Sequence, residues 1–125
     1  MRKEILLVGK IPPPIGGVGV HLTRLMDELN FLNINFKYIY LRPKLVPLIF
    51  IKLLTTEIIH LHSSNPIVRF FFGLICFPFR KNLIISYHGD LGRFSNFANI
   101  LDSMSVYLCK YPIVCNDRSF QTAIN

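Results

Sequence analysis

The chain has 125 residues, 51% of them hydrophobic, which suits a single domain with a real core. Fourteen Lys and Arg against seven Asp and Glu give a net charge of +7, and between Leu29 and Gly89 seven basic residues face one acid, Glu57. Such a balance points to an anionic partner, a phosphate-bearing ligand or a membrane surface, and away from nucleic acid, because the aromatics sit inside apolar runs rather than between basic residues.

Short β-rich runs alternate with longer helical ones. "EILLVG" (4–9) is a wholly apolar run of buried-strand type. After a Pro- and Gly-rich loop, Val18, Leu22, Leu25, Met26 and Leu29 recur at helical spacing, with Asn30 as the expected stop. "INFKYIY" (34–40) places Ile34, Phe36, Tyr38 and Tyr40 on one strand face, and "EIIHLH" (57–62), "NLIISYH" (82–88) and "YPIVC" (111–115) read as further strands. Helices are expected near 45–54, 66–77, 96–109 and 117–124. The resulting β-α alternation predicts an α/β domain, an open Rossmann-like parallel sheet with helices on both faces. Ligands of such sheets bind at the carboxyl ends of the strands, which directs attention to residues 10–17, 62–66 and 88–93.

Cys76, Cys109 and Cys115 are odd in number, lack CxxC spacing and sit among apolar neighbours, so they read as reduced core residues of a cytosolic protein. The amino-terminal "MRKEILLVGK" has too short an apolar stretch for a signal peptide. The two most apolar helices, in "PKLVPLIFIKLL" (43–54) and "PIVRFFFGLICFPFRK" (66–81), fall short of the roughly 20 residues that cross a bilayer, and Arg69 interrupts the second. Flanked by Lys44, Lys52, Arg69, Arg80 and Lys81, they fit either burial against the sheet or contact with an anionic leaflet.

The loop "GKIPPPIGGVGVHL" (9–22) fits no standard phosphate cradle. Leu22 occupies the third glycine's place of a dinucleotide fingerprint, the second strand ends in Tyr40, Leu41 and Arg42 without a ribose-binding acid, and no lysine follows Gly16-Gly17 as a P-loop requires. Two readings of Gly16 and Gly17 remain equally open. Backbone free of side chains lets an anion approach the N–H groups at a helix start, and a tight turn needing positive φ also selects glycine. His88, at a strand's carboxyl end before Gly89, can hydrogen-bond a ligand hydroxyl, polarise a leaving group or cap the following turn. Asp90 is suited to a hydroxyl or a helix cap, and Arg93 to a phosphate or to water. His60 and His62 share a strand face but lack a third metal ligand, and Ser63, Ser64 and Asn65 before Pro66 read as a helix start with Ser64 or Asn65 as N-cap.

Taken in order, "ILLVGKIPPPIGGVGVHLTRL", "IIHLHSSNPIVRF", "IISYHGDLGRF" and "PIVCNDRSF" resemble the amino-terminal domain of family 4 glycosyltransferases, retaining GT-B enzymes of bacterial surface polysaccharide synthesis. The resemblance implies that Gly16 and Gly17 lie against the diphosphate of a nucleoside-diphosphate sugar, that His88 lies beside the transferred sugar, and that Asp90 and Arg93 are near substrate. It implies transfer of a hexose to a saccharide or lipid-linked acceptor, without a metal or other cofactor, in the cytoplasm or peripherally on the inner face of the plasma membrane. The sequence also departs from the family. A complete enzyme is about two to three times longer, with a carboxyl-terminal domain bearing two glutamates eight positions apart, whereas Glu4, Glu28 and Glu57 are the only glutamates here and none are so spaced. Residues 1–125 are therefore expected to be an incomplete amino-terminal domain, inactive without a separate carboxyl-terminal domain or subunit. No Asp-x-Asp is present for a metal–diphosphate site. The alternative is a non-catalytic subunit that docks acceptor or membrane and recruits a separate catalytic domain.

Overall fold

The computed structural model describes residues 4–9, 17–63, 65–79, 82–87 and 96–114. Five strands, β1 (Ile5–Gly9), β2 (Phe36–Tyr40), β3 (Ile58–His62), β4 (Asn82–Tyr87) and β5 (Tyr111–Val114), alternate with four helices, α1 (Gly17–Phe31), α2 (Val46–Thr55), α3 (Pro66–Cys76) and α4 (Asn96–Leu108). All strand pairs are parallel, in the order β2-β1-β3-β4-β5. This is the open, helix-flanked α/β sheet that the alternation predicts. The expected helix at 117–124 lies outside the described residues.

Strand pleating sorts the core into two layers. Leu6, Val8, Ile59, Leu61 and Ile85 point toward α2, α3 and α4, where Ile49, Leu53, Phe72 and Cys76 meet them. Leu7 points the other way, onto Leu22 and Leu29 of α1 with Leu25 and Met26 beside them. Of the helix pattern read from the sequence, Leu22, Leu25, Met26 and Leu29 thus form the stripe of α1 that packs on the sheet, and the Val18 side chain lies outside the described structure. Because β2 lies on one side of β1 and β3 to β5 on the other, the direction of winding reverses between β1 and β3. Right-handed crossovers then put α1 on the face opposite α2 to α4.

Two boundaries differ from expectation. α1 runs past Asn30 to Phe31 and is closed by Asn33, whose φ is 55°. The Ile34 N–H donates to the Leu29 carbonyl at 2.9 Å and the Asn33 N–H to the Asn30 carbonyl at 3.1 Å, a left-handed C-cap with Ile34 as its trailing apolar residue. Ile34 therefore belongs to the helix cap, and β2 starts at Phe36. At α3, where Ser64 or Asn65 is expected as N-cap, Asn65 takes the role: its side chain accepts from the Ile67 N–H at 2.9 Å, with Pro66 in the first turn. α2 starts after a short 3-10 turn at Pro43–Leu45, with no side-chain cap and a proline in its first turn.

Arg69 corrects another expectation. It neither interrupts an exposed apolar helix nor reaches toward a leaflet, because its side chain is 2% exposed and its Nη1 lies 3.2 Å from Oδ1 of the equally buried Asp102 on α4. The guanidinium carbon sits 4.8 Å from the centre of the Tyr87 ring. The Tyr87 hydroxyl is 2.7 Å from Ser105 Oγ, which donates to the Asp102 carbonyl. This cluster ties α3, α4 and the end of β4 together under the sheet. The helices approach closely there, since a Cβ at Gly73 would lie 2.7 Å from Leu108 Cβ. Cys76 and Cys109 are buried, and Cys115 lies outside the described residues.

Candidate functional site

The reversal of winding falls between the carboxyl ends of β1 and β3, where open parallel sheets leave a crevice for ligand. Gly9 closes β1 there. A Cβ on it would stand 2.9 Å from Leu22 Cδ2 and 3.2 Å from both the Cβ and the carbonyl oxygen of His62, so α1, β1 and β3 converge only over a glycine. The Gly9 carbonyl accepts from the Leu41 N–H at 2.8 Å and from the Tyr38 hydroxyl at 3.1 Å, which pins the strand end against β2.

Of the site residues named from the sequence, Gly17 is within the described structure, where it opens the fifteen-residue helix α1. Its position puts the first-turn N–H groups and the positive end of the helix at the reversal point. Gly16, His88, Asp90 and Arg93 lie outside the described residues. Tyr87, which precedes His88 in the chain, is held by Ser105, and burial pushes its phenol well above the usual tyrosine range, with the neighbouring Cys109 adding to the rise. β4 thus delivers the chain to His88 from an anchored last residue.

A histidine group lines the same edge. His60 and His62 do share a strand face, their ring centroids 4.1 Å apart. His21 of α1 joins them, 5.8 Å from His62, a partner that sequence spacing within β3 could not reveal because it depends on where α1 crosses the sheet. His60 Nε2 lies 2.8 Å from Ser86 Oγ on β4. Ser86 is fully buried, so this Ser–His pair offers no nucleophile to a substrate in the crevice. Among the described residues no cluster of three His, Cys, Asp or Glu has the geometry to hold a metal ion. At the end of β2 the guanidinium of Arg42 stacks on the Tyr40 ring at 4.2 Å, giving that corner a cation.

What the arrangement can do chemically is hold an anionic group. The start of α1 lies at the reversal point with His21, His60 and His62 grouped nearby, the latter two buried, and an arginine stands at the neighbouring strand end. In comparisons with known proteins the chain matches no family model and no curated sequence.

Proposed function

We propose that the chain is the amino-terminal, GT-B-type half of a retaining glycosyltransferase that moves a hexose from a nucleoside-diphosphate sugar to a saccharide or lipid-linked acceptor. The observation that carries this reading is the start of α1 at Gly17, at the point where the sheet reverses its winding. In the proposal the diphosphate lies against the backbone of Gly16 and Gly17. His88 hydrogen-bonds the sugar at the carboxyl end of β4, with Asp90 and Arg93 as further substrate contacts. The bond between the anomeric carbon and the diphosphate breaks, and a bond to an acceptor oxygen forms. The acceptor's proton leaves with the diphosphate. The nucleoside is held by a carboxyl-terminal domain or separate subunit, so this chain alone is inactive. It works in the cytoplasm, against the inner face of the plasma membrane.

A second reading, a non-catalytic subunit that docks acceptor or membrane and recruits a catalytic partner, draws support from the outward-facing apolar residues of α2 and α3. One substitution separates the two. In a complex reconstituted with a carboxyl-terminal GT-B half, Gly17→Asp places a side chain and a negative charge where the diphosphate should sit. The catalytic reading expects donor affinity and transfer to collapse while the thermal melt of this domain stays near wild type. A variant that melts and binds donor normally removes the site assignment, and one that loses stability and activity together marks Gly17 as a turn residue only.

A further inference from the structure

Burial against the sheet accounts for only part of the apolar content of α2 and α3. Ile49, Leu53, Phe72 and Cys76 enter the core, but the opposite sides of both helices are apolar as well and face outward. On α2 the exposed side chains include Leu48, Phe50, Ile51 and Leu54, and Thr55 is the polar residue among those exposed on that helix. On α3 they are Ile67, Phe71 and Leu74, followed by Phe77 and Phe79. Ile51, Phe71 and Phe77 are 57%, 54% and 63% exposed. Between the two helices runs a groove of about 310 Å³, walled by Val46, Phe50, Ile67 and Phe71 and floored by Ile49 and Phe72. Contiguous apolar surface of this kind marks an interaction site.

Charge narrows the choice of partner. Neither α2 nor α3 contains an acid, and Arg42 and Lys44 precede α2 while Lys52 lies within it. Arg80 and Lys81 follow Phe79 in the sequence, and Glu57 is the one acid between Leu29 and Gly89. No helix among the described residues is long and apolar enough to cross a membrane. Short helices with a Phe- and Leu-rich outer face and a basic surround match an interfacial mode, in which apolar side chains enter the first 5–10 Å or so of a leaflet and the cations meet its headgroups.

We propose that the outer face of α2 and α3 seats the protein on an anionic lipid bilayer, with the groove between the helices taking an acyl chain. This deepens the membrane contact named above and is independent of the donor loop, so its failure leaves the transferase reading standing. Val46 and Ile67, at the amino-terminal ends of both helices, line one end of the groove, and those helix ends lie at the same edge of the sheet as the candidate donor site. A membrane bound there would lie beside that site.

The test is co-sedimentation of the full chain with vesicles of phosphatidylglycerol in phosphatidylcholine and with pure phosphatidylcholine. Binding to the anionic vesicles that falls with salt is expected. Lys44→Gln with Lys52→Gln should weaken it by about 30-fold, because each basic residue near such a surface contributes about fivefold. Ile51→Ser with Phe71→Ser should abolish it while leaving the melt unchanged, since both side chains are exposed. The chain has no tryptophan, so Phe71→Trp supplies a single reporter, and bromine on the acyl chains should quench it. No binding to either vesicle, or equal binding to both, overturns the proposal. So does a lipid-free dimer that Ile51→Ser with Phe71→Ser converts to monomer, which would give the face to a second copy of the chain.

Discussion

Asp102→Asn tests the packing of α3 on α4 where it is most sensitive. The substitution keeps the size of the side chain and removes its charge, leaving the Arg69 guanidinium, whose side chain is 2% exposed, without the carboxylate now 3.2 Å away. Breaking one side of a buried pair costs about 3–5 kcal/mol, most of it the desolvation of the remaining ion. A domain of this length holds roughly 6–19 kcal/mol in total, so the variant should fold but lose a large share of its stability. With an m-value of about 2 kcal/mol/M in urea, the midpoint followed by far-UV circular dichroism should drop by about 1.5–2.5 M. Replacing both partners, Arg69→Met with Asp102→Leu, should recover much of that loss, because two apolar side chains carry no desolvation cost. The recovery should be incomplete, since the Arg69 contact with the Tyr87 ring goes as well. A drop under about 0.5 M for Asp102→Asn, or a double variant as weak as the single one, would refute the claim that the pair is buried and mutually dependent.

At Gly73 an added Cβ would stand 2.7 Å from Leu108 Cβ, so Gly73→Ala should force α3 and α4 apart and cost about 1–3 kcal/mol in a urea titration. Asn33→Ala replaces a residue type that tolerates the left-handed region with one that does not, at φ 55°, and should cost about 1 kcal/mol, whereas Asn33→Gly should be close to neutral. Burial raises the Cys109 thiol from an ordinary 9.0 to about 11, outweighing its hydrogen bonds. The unfolded chain therefore loses that proton first, and stability is full below pH 9 and falls as pH rises toward 11, by up to about 3 kcal/mol. Cys109→Ala should flatten urea midpoints between pH 8.5 and 10, with Tyr87 governing the further loss at higher pH by the same sign of effect.

The strands were legible because each is a short apolar or alternating run bounded by Gly, Pro or Asn, and their parallel order followed from the helices between them. The end of α1 was not. Asn30 and Asn33 are equivalent stop signals in one dimension, and the choice falls on the residue whose left-handed turn lets Ile34 fold back on Leu29. The outward face of α2 and α3 stayed undecided between burial and surface for a different reason. A helix that is apolar all round reads as buried, and its second face is known only when nothing among the described residues packs on it. Arg69 and Asp102 are remote in sequence and each resembles an ordinary surface charge, so their pairing exists only in the packed helices. Of the candidate site, the carboxyl edge of the strands and the loop ending at Gly17 could be located from the strand pattern, while the reversal point depends on the strand order and the addition of His21 to His60 and His62 on the crossing of α1 over the sheet.

The proposed function stands or falls on whether the loop before α1 receives a sugar-nucleotide diphosphate. Titration of the isotopically labelled full chain with a panel of nucleoside-diphosphate sugars, followed by amide chemical shifts, tests this directly. Weak saturable shifts concentrated at Gly16, Gly17 and His88, lost in Gly17→Asp, are expected, with no turnover of any donor by the chain alone. Amide shifts that stay unchanged with every donor, or that map to residues far from the carboxyl ends of β1 and β4, would contradict it.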